Sequence, residues 1–335
     1  MKYAILGGSG FIGSALTQYW LKRGHEIMIV TRQSSQQQEF RSKSTTQQLS
    51  YYTWNDINQD PHLLRGLDGI VNLAGATISQ RWTRRAKQRI MDSRLHTTQA
   101  LGRWIHMLGS EAPKVIVQGS AVGIYGTSLT EEFTEHSPGS TADFLAKVTT
   151  SWEDTALHSI PQSAAPEAIT SAIFPLADSN LGLETPHDPA PRLVLLRTGV
   201  VLGNQGGAYP MMRLPFLLGA GGRIGTGQQW VPWIHIDDIV TLIDYCITHP
   251  EISGPVNAVS PNPVTNEQFG RAISYVHHRP FWFPLPSFVL RAVLGEMSLL
   301  LLEGQRVLPQ VAISSGFKYS CPQLVEALAD LKQRR

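Results

Sequence analysis

The chain opens with an apolar run, Tyr3–Leu6, and then changes period. Over Phe11–Lys22 the apolar residues fall at Phe11, Ile12, Ala15, Leu16, Tyr19 and Trp20, which is helical spacing. Gly24 supplies a helix stop, and Ile27–Val30 reads as a second buried strand. Further apolar runs at Gly69–Leu73, Lys114–Val117 and Arg192–Leu196 alternate with helical stretches, notably Arg84–Leu108. Short apolar strands separated by amphipathic helices predict an α/β fold, a doubly wound parallel sheet of Rossmann type. Two stretches break the alternation. Gln33–Ser50 is a Gln/Ser/Thr tract that reads as a loop. His158–Pro191 is rich in Ala, Ser and Pro without a period, long for a connection. Glycines crowd Gly203–Gly227, a density that predicts loops lying close to a ligand or to other backbone. From Pro261 the texture is that of a smaller helical cap.

Composition narrows the class. The 335 residues carry 28 Lys and Arg against 26 Asp and Glu, a formal net charge of +2. That balance is poor for a nucleic-acid binder. Hydrophobic residues make up 42%, which excludes disorder over most of the chain. Two cysteines, Cys246 and Cys321, could pair but make no disulfide framework, and no CxxC motif is present for zinc. His277 and His278 are adjacent, poor geometry for helical metal ligation, so no metal site is expected. The first apolar run is too short for a signal-peptide core. Phe288–Leu302 is interrupted by Arg291 and Glu296, so no membrane span is expected. The expectation is a cytoplasmic protein with a small-molecule substrate.

The strongest chemical signal is Gly7-Gly8-Ser9-Gly10-Phe11-Ile12-Gly13, which follows a strand and opens a helix. That is the context a dinucleotide fingerprint requires. Gly7 permits the tight turn, Gly10 lets backbone approach a pyrophosphate, and Gly13 lets helix and strand pack closely. The helix N-terminus offers free N–H groups to phosphates. Thr31-Arg32 stands 18 residues after Gly13, near the ~20 at which an acid would select NAD by binding the ribose 2′-hydroxyl. A hydroxyl and a guanidinium there suit a 2′-phosphate instead, so the expected cofactor is NADP(H).

These residues resemble the extended short-chain dehydrogenase/reductase superfamily, and within it an atypical branch of the NAD-dependent epimerase/dehydratase family. The likeness continues through NLAGA at Asn72–Ala76, SAVGIYG at Ser120–Gly126, LRTGVVLG at Leu196–Gly203, QWVPWIHIDD at Gln229–Asp238 and GPVNA at Gly254–Ala258. It ends in the GEM…LLEGQRVLPQ tail at Gly295–Gln310. It implies a Rossmann domain over residues 1–203, with 233–260 returning to it. A smaller mixed α/β substrate domain would comprise 204–232 and 261–335. It also implies cofactor contacts from Ser9, Phe11, Ile12, Leu73, Ala74, Gly75, Arg94 and Val201, besides the glycines, Thr31 and Arg32. A homodimer through the helices around Arg84–Leu108 and Asp143–Leu157 is expected by superfamily analogy alone.

The chain departs from its relatives where chemistry is concerned. The superfamily's YxxxK is replaced by Asp143-Phe144-Leu145-Ala146-Lys147, which has no tyrosine. Asp143 and Lys147 could share a helix face as a proton relay, or form an ordinary ion pair. Ser120, just past an apolar strand, is a candidate donor to the substrate oxygen. It lies five residues before Tyr125, one more than in sugar epimerases, and Tyr125 reads as structural. Val231-Pro232 and Val200 stand where nucleotide-sugar enzymes hold a pyrophosphate-binding arginine and an asparagine. A desolvated diphosphate needs cationic or multiple N–H partners, so a nucleotide-sugar epimerase is disfavoured. Trp230, Trp233, Phe281, Trp282 and Phe283 either line a pocket or pack the core. His235 reads as structural and Asp237-Asp238 as a helix N-cap. The leading expectation is an NADP(H)-dependent oxidoreductase acting on a small, uncharged or weakly polar substrate. Ser120, Lys147 and Asp143 are its catalytic candidates. The alternative is a catalytically silent NADP(H) sensor or scaffold.

Overall fold

Seven strands form one wholly parallel sheet. They are β1 (Lys2–Leu6), β2 (Glu26–Thr31), β3 (Leu49–Thr53), β4 (Gly69–Asn72), β5 (Val115–Ala121), β6 (Arg192–Thr198) and β7 (Gly254–Ala258). Their spatial order is β7-β6-β5-β4-β1-β2-β3. Tyr3 stands opposite Ile27 on one side and Gly69 on the other, and Ser120 stands opposite Arg197. The chain leaves β1 toward β2 and β3, then crosses back to β4. This makes β1/β4 the switch point at which doubly wound sheets bind ligands. The computed structural model describes residues 1–32, 48–162 and 190–334.

The strands are nearly continuous apolar runs because both faces are covered. On one face α1 (Phe11–Leu21) packs with the helix Ile236–Thr248, burying Leu16, Trp20, Val117, Val194, Leu196, Ile239 and Ile243. On the other, α2 (Arg84–Leu108) and α3 (Phe144–Ser159) bury Ile70, Leu101, Trp104, Ile105, Ile116, Ala156 and Leu195. Each large apolar side chain so enclosed contributes roughly 1.5–3 kcal/mol. Buried indoles keep their N–H satisfied: Trp20 donates to Asp244 at 2.6 Å and Trp104 to Asn58 at 3.0 Å. Thr83 caps α2, and Gly102 lets α2 meet α3, since a Cβ there would lie 2.3 Å from the Ser159 carbonyl oxygen.

Two expectations change. The strand β3 begins inside the tract expected to be loop, carried by Tyr51, Tyr52 and Thr53 at the sheet edge. The remainder of that tract (33–47), and most of the second irregular stretch (163–189), lie outside the described residues. The Ile236–Thr248 helix is capped by His235, whose Nδ1 accepts from Asp237 N–H at 3.2 Å, rather than by the aspartates. Asp238 instead accepts from the backbone N–H of Ser320 and Cys321, and Asp237 pairs with Arg334. Both aspartates therefore tie down the C-terminal segment.

The strand β7 returns residues 254–258 to the main sheet beside β6. The remaining C-terminal part is mainly helical, with helices at Asn266–His277, Ser287–Leu294 and Leu324–Gln333. Short pairings join Trp230–Val231 to Val264–Thr265 and Glu132–Phe133 to Arg306–Val307. Cys246 and Cys321 are free thiols. Among the described residues no helix is long and apolar enough to cross a membrane.

Candidate active site

The glycine loop sits at the switch point, and backbone builds it. Gly7 takes φ +81° and donates to the Val30 carbonyl at 3.1 Å. A Cβ on Gly7 would press on Leu73 and Ala74 backbone at 3.0 Å, so this turn and the segment after β4 are in contact. Gly13 is still tighter: its Cβ would meet the Gly7 carbonyl oxygen at 2.6 Å and Gly8 Cα at 2.7 Å. Gly10 is the N-cap of α1, and no acidic side chain competes in the helix's first turn. Ser9 is exposed in the loop. Such a turn leaves room and free N–H groups for an anion.

The neighbouring positions frame this loop. Thr31 is buried at the end of β2 and Arg32 is exposed beside it. Asn72 donates to Gln118 at 2.9 Å and accepts from Ala74 N–H at 3.2 Å, fixing the turn after β4. From α2, Ser93 accepts from Ala76 N–H at 2.9 Å and Arg94 donates to the Ala76 carbonyl at 3.1 Å. The Arg94 guanidinium also lies 5.0 Å from the Trp152 ring, and its Cζ would be 3.3 Å from a Cβ on Gly75. Burial pushes its pKa down to about 10, so it remains charged at neutral pH. Arg94 thus braces the Gly75–Ala76 segment.

The glycine-dense loop proves to surround a ring. Added Cβ atoms on Gly203, Gly206 and Gly207 would meet Phe11 at 2.5–2.9 Å. Those glycines fold the loop over Phe11, at the start of α1. Ile12 is half-buried. Val201 lies in the short strand Val200–Leu202, paired with Trp233–His235, and its side chain is core.

Ser120 joins a buried polar knot. Its hydroxyl donates to Glu153 Oε1 at 2.5 Å. Arg197 holds both Glu153 oxygens, at 2.9 and 2.8 Å, and the two side chains are only 1% and 2% exposed. Arg197 also donates to Tyr125 Oη at 2.9 Å, and Tyr125 donates to Asn257 Oδ1 at 2.7 Å. Glu135 closes the knot by accepting from the N–H groups of Asn257, Gln310 and Val311. Burial alone would lower the Arg197 pKa, but the charge and hydrogen bonds of Glu153 hold it raised. Burial lifts the Tyr125 phenol to about 12, so it stays neutral.

Asp143 and Lys147, by contrast, meet at one cavity of about 390 Å³. Trp82, Lys87, Ala142, Phe144, Glu296 and Leu299 complete its lining. Asp143 caps α3, accepting from Ala146 N–H at 2.9 Å. Lys147 is exposed, and Asp143 and Lys147 form no ion pair of the kind joining Lys87 to Glu296. The helices α2 and α3 both begin at the carboxyl edge of the sheet, the edge that carries the glycine loop. Ser120 is not in the lining.

The aromatic set expected around a pocket does not converge. Trp233 is buried in the core, Phe281 stacks with Phe216, and Trp282 and Phe283 are 68% and 52% exposed. The ring pair at the cavity is Trp82 and Phe144, with centroids 5.2 Å apart. Sequence reasoning also missed Glu153, Arg197, Lys87 and Glu296. Glu153 stands next to Asp154 in a helix and Arg197 near the end of an apolar strand that also carries Arg192, and neither names its partner.

A parallel sheet with a glycine turn at its switch point defines a Rossmann fold of the dinucleotide-binding kind. The model of the NAD dependent epimerase/dehydratase family matches residues 3–152, and a domain of unknown function (DUF1731) matches 285–331. The chain is 40% identical to epimerase family protein YfhF of Bacillus subtilis, over 99% of this chain and 98% of that one. It is similar throughout to the crystal structure of human epimerase family protein SDR39U1 with NADPH, with TM-score 0.81, 34% identity and all of both chains covered. The UDP-glucuronic acid 4-epimerase of Bacillus cereus, at 15% identity and TM-score 0.70, shares the fold. The chain belongs to the epimerase family, an atypical branch of the short-chain dehydrogenase/reductases.

Proposed function

We propose that this chain is an NADP(H)-dependent oxidoreductase that transfers hydride to or from a small substrate held in the Asp143/Lys147 cavity. One observation carries the reading: a glycine turn at the switch point faces a β2 that ends in Thr31-Arg32, with no acid at that end. The residues fit the cofactor. Gly7, Ser9, Gly10 and Gly13 leave a backbone cradle for a pyrophosphate, with Phe11 and Ile12 opening the helix behind it. Leu73, Ala74 and Gly75 form the opposing wall, held by Asn72 and Arg94. Val201 supports the loop over Phe11. Thr31 and Arg32 suit a 2′-phosphate, and the human relative's NADPH agrees with that choice.

When bound in the reducing direction, NADPH supplies hydride to a carbonyl carbon. Lys147 holds a proton at Nζ on the cavity wall and gives it to the carbonyl oxygen, forming the alcohol. Water then restores the ammonium. Asp143 fixes the start of α3 and so the position of Lys147. Ser120, expected to touch the substrate, takes a structural role in this reading, because its hydroxyl is bound to Glu153 inside the knot. The free thiols fit a reducing, cytoplasmic setting.

A second reading, a sensor that binds NADP(H) without turnover, draws on one observation: among the described residues no phenol lines the cavity. Stopped-flow measurement of NADPH oxidation against a carbonyl panel separates the two. The enzyme reading expects turnover that Lys147→Met lowers at least tenfold with NADPH affinity unchanged. Tight NADPH binding with no turnover across the panel would leave the sensor.

A further inference from the structure

The cavity wall carries a charge arrangement that the expected uncharged substrate does not explain. Lys87, in the first turns of α2, is paired with Glu296, which belongs to the C-terminal part. The Lys87 side chain is 27% exposed and Glu296 is 60% exposed. So the ammonium is sheltered within the cavity wall while its carboxylate arrives from the solvent side. The same ammonium lies 5.1 Å from the Phe144 ring centroid. Lysine near a helix N-terminus opposes the macrodipole, so helix stability does not account for it. An exposed partner on a flexible stem adds little stability either. Beside this pair are an edge-to-face aromatic pair, Trp82 and Phe144 with their planes 64° apart, and the apolar Leu299. The Trp82 indole N–H is already satisfied by the Ile78 carbonyl at 3.0 Å, leaving the ring as apolar surface.

We infer that Glu296 stands in for a substrate carboxylate, and that the cavity takes a small organic acid with an apolar body. The substrate's carboxylate displaces Glu296 from Lys87, and its body lies against Trp82, Phe144 and Leu299. A carboxylate is favoured over a phosphate because the anion that Lys87 already holds is the Glu296 carboxylate. Lys87 supplies a single ammonium point charge, and among the described residues no arginine lines the cavity. This inference rests on the proposed oxidoreductase reading for its purpose, but the binding it asserts stands apart from turnover.

The test is calorimetric titration of the full chain, with and without NADPH, using three probes that share one ring system: 2-naphthoate, 2-naphthamide and 2-naphthyl phosphate. The expected result is that 2-naphthoate binds at least tenfold more tightly than the amide and more tightly than the phosphate. Glu296→Gln, which frees Lys87, should tighten 2-naphthoate several-fold and leave the amide unchanged. Lys87→Gln should bring 2-naphthoate down to the amide's affinity. A gain of affinity in Glu296→Gln cannot arise from misfolding, so this variant decides the matter even if Lys87→Gln is unstable. Equal binding of acid and amide, or a Glu296→Gln variant that binds 2-naphthoate no better, overturns the inference. Tighter binding of the phosphate overturns the carboxylate assignment. Failure of NADPH to bind would sink the proposed function while leaving the anion result to stand or fall by itself.

Discussion

The two sides of the switch point are built from different materials. On the β1–β2 side the surface is backbone: Gly7 and Gly13 stand where any Cβ would press into neighbouring main chain. On the β5–β6 side the structure depends on long side chains, with Ser120, Glu153, Arg197, Tyr125 and Asn257 bonded to one another out of water. The first side needs absence of bulk at its glycine turn, and any choice between dinucleotides falls to Thr31 and Arg32 at the end of β2. The second needs complementary partners, and through Glu153 it anchors α3, the helix that also carries Lys147. Cofactor binding and frame stability should therefore respond to different substitutions.

Breaking the knot should give the largest effect. Glu153→Ala strands the Arg197 guanidinium in the interior and should cost about 3–5 kcal/mol in denaturant-induced unfolding. The folded fraction should still bind NADPH within about twofold, since each factor of ten needs ~1.4 kcal/mol at the site itself. A matching loss of NADPH affinity would show that the two sides are one unit. Gly13→Val tests the opposite side. It should weaken NADPH binding by more than about 100-fold, or ~2.7 kcal/mol, by fluorescence titration. Retained affinity would mean that the 2.6 Å approach to Gly7 is not needed.

Ser120→Ala sharpens the comparison. As part of the knot it should lose about 1.5–3 kcal/mol, the range for a hydrogen bond to a charged group, with catalytic rate kept in the folded enzyme. Full stability with lost turnover would return Ser120 to the substrate. The smallest effect concerns pH. Burial lowers the His235 pKa below its ordinary 6.5, more than the nearby Asp237 and Asp330 charges raise it. The unfolded chain then binds more protons below pH 6.5, so stability falls as pH drops through that point. The slope should be at most about 1.4 kcal/mol per pH unit, and His235→Asn should flatten it in unfolding curves at pH 5.5 and 7.5.

The same contrast decides what was legible in the sequence. The sheet and glycine turn could be read because local spacing dictates them: apolar runs make strands, and GGSGFIG after a strand makes the turn. The helix Arg84–Leu108 begins and ends where its pattern does. The knot could not be read, because Glu153 and Arg197 are 44 residues apart and only the fold makes them neighbours. The cavity was half legible. Asp143 and Lys147 came from the motif position, whereas Lys87 and Glu296 meet through tertiary packing. The strand β3 was hidden by polar sequence beside it, and pocket lining and core packing stayed open for the aromatic set because ring type alone does not reveal burial.

The central claim is that the β2 end selects NADP(H). Its most direct test is titration of the purified chain with NADPH and NADH side by side, repeated on Arg32→Ala. The account predicts at least tenfold tighter NADPH binding in the natural chain and loss of most of that preference in Arg32→Ala, with NADH affinity unchanged. Equal affinity for the two cofactors, or a preference that survives Arg32→Ala intact, would contradict it.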